Sequence, residues 1–98
     1  MKVQIQSVKF DADQRLLEFV EHKMEKFDRF AEGAVSANVI LKLDTDHEKG
    51  NKVATITLQM PRENLVAESR SKTFEESVDE ALDALKRQIH RLKGKNEK

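Results

Sequence analysis

The residues of this chain best suited to chemistry are bases, and they crowd its end. Lys86, Arg87, Arg91, Lys93, Lys95 and Lys98, with His90 among them, stand against Glu97 alone. The stretch just before is the reverse. Between Thr73 and Leu85 lie Glu75, Glu76, Asp79, Glu80 and Asp83 and no base. The formal net charge of +0 therefore hides a strongly positive end. Long cationic side chains at helical spacing neutralise phosphates, so a polyanion, RNA first, is the expected ligand. A second reading carries equal weight on this segment alone. Acids at the start of a helix and bases at its finish complement the helix dipole by about 0.3–1 kcal/mol each.

A second basic set lies upstream. Wound at about 100° per residue, the segment around Val20 places Glu18, Glu21, Glu25 and Asp28 on one flank. Arg15, His22, Lys26 and Arg29 fall on the other, with Lys23 beside them. Mixed signs four residues apart would stabilise such a helix. Sorting gives up part of that stabilisation and presents a basic ridge instead. In the last helix Lys86, His90 and Lys93 line one flank while Arg87, Arg91 and Lys98 lie around its back, and if both helices share one side of a sheet their basic flanks can join in one phosphate-binding surface. Contacts of that kind release counterions and weaken steeply with salt.

Catalytic chemistry has no comparable support. His22, His47 and His90 are scattered and lack metal-ligand spacing, so no metal and no cofactor is expected. His47 sits in an acidic stretch that reads as a solvated loop rather than a cation site. The serines lack a nucleophile elbow, and the three glycines are isolated, which excludes a phosphate-cradling loop. Phe10, Phe19, Phe27, Phe30 and Phe74 read as core and core-edge residues, not stacking platforms. No catalytic residue and no small-molecule substrate is expected.

The elements that must position the bases follow from periodicity. Val3 and Ile5 alternate with polar residues as a half-buried strand. Asp11 offers a cap, with Gln14 three residues on, for a helix over 12–30 carried by Leu16, Leu17, Val20, Met24, Phe27 and Ala31, and Gly33 offers its stop. Val35 to Leu43 alternates as a second strand, Asp44 to Asn51 is a hairpin loop, and Val53 to Met60 is a third strand ended by Pro61. Leu65 to Arg70 makes a fourth. Thr73 with Glu76 opens a last helix that reaches Leu92, and the tail from Gly94 is polar. The order predicts a two-layer α+β domain, a four-stranded sheet with both helices on one face and a polar opposite face. One domain over 1–93 and a short basic tail over 94–98 are expected.

A chain of 98 residues with 38% hydrophobic and 37% charged content supports one small core under a densely charged surface. It has no cysteine and no apolar leader or span, so cytoplasmic residence without membrane contact is the expectation.

Three segments together resemble a known family. They are the run from Leu16 to Phe30, the strand Leu65-Val66-Ala67-Glu68-Ser69, and the ending from Phe74 through Ala81-Leu82 to Lys95. In order, spacing and total length the chain is similar to the ribosome hibernation promoting factor and ribosome-associated inhibitor A family, whose fold resembles a double-stranded-RNA-binding domain with an added first strand. The resemblance implies a partner, the small ribosomal subunit and its ribosomal RNA, and a role in silencing idle ribosomes by filling the messenger and transfer RNA channel. It implies contacts from Lys23, Lys26 and Arg29 and from Lys86, Arg87, His90, Arg91 and Lys93. Two departures stand out: Thr73 replaces an acidic cap, and His90 stands where a second strong base is expected, which makes affinity sensitive to pH. The chain stops at Lys98, so a short form without an appended domain, monomeric when free, is expected. The alternatives are a protein-interaction or transcription-modulating module and a general structured-RNA binder. The acidic loop between Asp44 and Asn51 counts against the last, since such binders bring a basic loop to phosphates.

Overall fold

Alternation of side chains decides which face of the sheet is covered. The computed structural model describes residues 1–45 and 50–96. The chain runs through β1 (Lys2–Val8), α1 (Gln14–Phe27), β2 (Ser36–Leu43), β3 (Lys52–Gln59), β4 (Asn64–Ser71) and α2 (Phe74–Asn96). The strands lie in the order β1-β2-β3-β4, with β1 and β2 parallel and the other pairs antiparallel. The helical crossover through α1 accounts for the parallel pair, and short turns account for the rest.

Register places Val3, Ala37, Leu58 and Leu65 in one row, and Ile5, Val39, Ile56 and Ala67 in the next, all on one face. Val20, Met24 and Phe27 of α1 and Phe74, Val78, Ala81, Leu82, Leu85 and Ile89 of α2 close over those rows in a single buried cluster. Burying each large apolar side chain contributes about 1.5–3 kcal/mol, and this cluster binds both helices to the same face. The opposite face carries the rows Gln4, Asn38, Thr57, Val66 and Gln6, Ile40, Thr55, Glu68. Its side chains bond across strands, Ser36 Oγ to Gln59 Oε1 at 2.9 Å and Thr55 Oγ1 to Glu68 Oε1 at 2.8 Å. The expected two-layer α+β arrangement is the observed one.

The first helix is shorter than its apolar periodicity predicts. Asp13, not Asp11, caps it: backbone at φ −79° and ψ 170° lets Asp13 Oδ1 accept the Leu16 N–H at 2.9 Å. Gln14 does not reach back to the cap but donates to Glu18 Oε1 at 3.2 Å. The helix ends at Phe27, and the next residues form tighter turns in which the N–H groups of Phe30 and Ala31 both donate to the Phe27 carbonyl. Gly33, at φ 89°, then supplies the left-handed residue that turns the chain into β2.

The second helix starts as expected, with Thr73 Oγ1 accepting the Glu76 N–H at 3.1 Å. It continues past Leu92 and through Gly94 to Asn96. An exposed glycine costs a helix about 1 kcal/mol without blocking it, and bases in the last turns favour the negative end of the dipole. Where the helix starts, Ser77 is fully buried; its hydroxyl lies 2.7 Å from Ser71 Oγ and donates to the Lys52 carbonyl at 2.6 Å. The solvated-loop reading around His47 falls on residues outside the described ones.

Candidate nucleic-acid interface

The two helices run in the same direction across the sheet, and this settles how their charges meet. Phe10, just before α1, stacks on Phe74 with ring centres 4.5 Å apart. Further along, Lys23 faces Asp79, and Phe30 faces Lys86. Since α1 ends at Phe27 and α2 continues to Asn96, the second half of α2 runs on with no helix beside it. It stays anchored to the sheet margin, where Gln88 Nε2 donates to the Val66 carbonyl at 2.9 Å.

Asp79, Asp83, Lys86, His90 and Lys93 follow one another at spacings of four and three, so they occupy one face of α2. That face meets α1. Where the helices lie side by side it is acidic; beyond the end of α1 it is basic.

The side-by-side section forms a groove of about 300 Å³, with Lys23, Lys26 and Lys86 sharing it with Asp79 and Asp83. Lys23 Nζ lies 3.0 Å from Asp79 Oδ1. Both side chains are substantially exposed, so the pair contributes only about 0–1 kcal/mol, but it takes up Lys23 as a free cation. Two acids thus interrupt the joined basic strip expected from sequence. The flanks of α1 are nevertheless sorted in part as predicted, with Arg29 outside both grooves. Glu21, Glu25 and Asp28 face the gap toward β1, and Lys23 and Lys26 face α2.

The overhanging section is different. Lys86, Arg87, His90, Arg91 and Lys93 surround a groove of about 680 Å³ floored by Phe30 and Ile89, and among the described residues no acid lines it. Lys86 Nζ stands 4.4 Å from the Phe30 ring centre, a cation–π contact that holds the ammonium at the mouth. Arg87 also borders a small hollow with Glu68, Glu80 and Asp83, so its charge is partly offset. Arg29 is exposed in the turn after α1 and lines neither groove.

Of the eight predicted residues, the structure therefore brings five around one mouth, joins Lys26 to them through Lys86, pairs Lys23 internally, and leaves Arg29 apart. Phe30 is the residue that sequence reasoning missed. Spaced three after buried Phe27, it reads as core on a continuing helix; because the helix stops, Phe30 is turned out and is 52% exposed.

Cations around an apolar floor can bind phosphates while bringing sugar or base edges against the exposed ring of Phe30. Among the described residues, no three His, Asp or Glu side chains are grouped to hold a metal ion, and no helix is long and apolar enough to cross a membrane.

Two solved structures share the fold. The N-terminal domain of Protein Y from Thermus thermophilus matches with a TM-score of 0.77 at 24% identity, over 94% of this chain and 99% of that one. A ribosomal subunit interface protein from Coxiella burnetii matches with a TM-score of 0.84 at 18% identity, over 96% and 99%. Across residues 3–97 the sequence fits the family described as sigma 54 modulation protein / S30EA ribosomal protein, and the chain belongs to that family.

Proposed function

We propose that this protein is a ribosome-associated modulation factor that binds the small ribosomal subunit and silences idle ribosomes under stress or in stationary phase. The mechanism is occupation. The overhanging half of α2 holds ribosomal RNA phosphates, and the folded body fills the channel that messenger and transfer RNA would use. No bond is made or broken. Membership of the S30EA family supports the partner, and the groove around Phe30 that Lys86, Arg87, His90, Arg91 and Lys93 line is the observation that carries the mode of binding. Its cations stand on a helix already fixed by Ile89 and by the Gln88–Val66 bond, so little backbone freedom is lost on docking. The place of action follows the ribosomes, in the cytoplasm.

Sedimentation of stationary-phase lysate through sucrose tests the reading. The protein is expected to co-migrate with small subunits or whole ribosomes; recovery only at the top of the gradient contradicts it. With purified subunits, messenger and initiator transfer RNA should compete with the protein, and simultaneous binding of all three contradicts occupation.

A further inference from the structure

The side of the molecule away from α2 holds a second opening. Between β1 and α1 lies a gap of about 540 Å³, with Val3, Ile5, Leu17 and Met24 as its apolar floor and Glu21, Glu25 and Asp28 along its rim. The gap borders a free sheet edge, since β1 is the outermost strand. The Lys2 N–H donates to the Val35 carbonyl at 3.2 Å. In a parallel pair, alternate residues direct both backbone groups at the neighbour, so Lys2, Gln4, Gln6 and Val8 serve β2. Val3, Ile5 and Ser7 then present their N–H and C=O groups outward. The opposite edge is partly closed, because Gln88 takes the Val66 carbonyl of β4.

We propose that this edge binds an extended polypeptide segment that carries lysine or arginine between small apolar residues, added as a fifth strand beside β1. Main-chain bonds to Val3, Ile5 and Ser7 fix its register. Every second side chain then enters the gap, where the floor takes apolar groups and the rim takes cations. One cation already sits there: the N-terminal ammonium of Met1 lies 3.4 Å from Asp28 Oδ1. Glu21 and Glu25 are exposed and have no ion-pair partner among the described residues. Charge also decides against a second copy of this chain, because two-fold pairing of β1 with β1 would set one acidic rim against the other. This inference stands on the β1 edge alone and does not rest on ribosome binding through α2.

The test uses the full chain and a labelled, end-capped peptide with lysine and valine alternating on one face and threonine on the other. Saturable binding is expected, with amide shifts at Val3, Ile5 and Ser7 in NMR spectra. A peptide with glutamate for lysine should not bind. Ser7→Pro removes an outward N–H without touching the β2 ladder, and Glu21→Gln with Glu25→Gln neutralises the rim. Each should weaken binding about tenfold. Should Ser7→Pro unfold the protein, the exposed double Gln variant decides the matter. The proposal is overturned if the lysine and glutamate peptides behave alike, or if the Gln variant binds as the native chain does. It is also overturned if sedimentation shows a concentration-dependent dimer that Ser7→Pro abolishes, which would make a second copy the occupant.

Discussion

Lys86 Nζ stands 4.4 Å from the centre of the Phe30 ring, at the point where α2 passes beyond the end of α1. The contact ties the first cation of the overhang to the body of the fold. Exposed cation–π pairs contribute about 0.5–1 kcal/mol, which corresponds to roughly two- to fivefold in affinity if the ordering serves binding. Phe30→Ala should therefore weaken binding to purified small subunits by that factor. Its stability should fall by about 1–2 kcal/mol, because half of the ring is buried and it stands 6.4 Å from the Phe27 ring, so affinities are compared on the folded proteins. Equal affinity for the two proteins in a filter-binding assay would remove Phe30 from the site.

Asp79 and Asp83 restrain the first part of the strip. Replacing both by Asn frees Lys23 and Lys26 to face phosphate. Subunit affinity should rise, and the plot of log affinity against log salt should steepen by up to about one unit for each cation recruited. Stability should fall by no more than about 1 kcal/mol, because the Lys23–Asp79 pair is exposed. A salt dependence identical to that of the native protein would show that α1 takes no part.

Ser77 tests the fold apart from the site. Its buried hydroxyl links the Lys52 carbonyl of β3 to Ser71 at the end of β4. Ser77→Ala leaves these groups short of a partner and should cost about 1–3 kcal/mol in urea denaturation. Subunit affinity should stay unchanged where the variant is folded. An unaltered denaturation midpoint would mean that the buried hydrogen bonds contribute nothing net.

The strands, the order of elements and the side of the sheet taken by both helices were legible because burial imposes periods of two and 3.6 that survive any context. Helix ends were less so. Asp11 and Asp13 are the same residue type two positions apart, and only the extended backbone at Asp13 makes it the cap. The sorted flanks of α1 were legible from Glu21, Glu25, Lys23 and Lys26. What those flanks face depends on the helix crossing, which no local pattern encodes. Asp79 and Asp83 thus stood on the same face of α2 as Lys86, His90 and Lys93 in plain view, yet their meeting with Lys23 is a tertiary fact. Phe30 was hidden for the same reason: its exposure follows from where α1 stops.

On the proposed mode of binding, the overhanging cations of α2 grip ribosomal RNA. The most direct measurement is a salt titration of binding to purified small subunits, for the native protein and for the variant with Lys86→Glu, Arg87→Glu and Arg91→Glu. These side chains lie outside the buried core, so the variant should still fold, losing about 1–2 kcal/mol with the Lys86–Phe30 contact and the favourable charges late in α2. Native affinity should fall linearly in log–log form as salt rises, and the variant should not bind at any salt concentration. Binding by the folded variant equal to that of the native protein would rule out a grip through these cations.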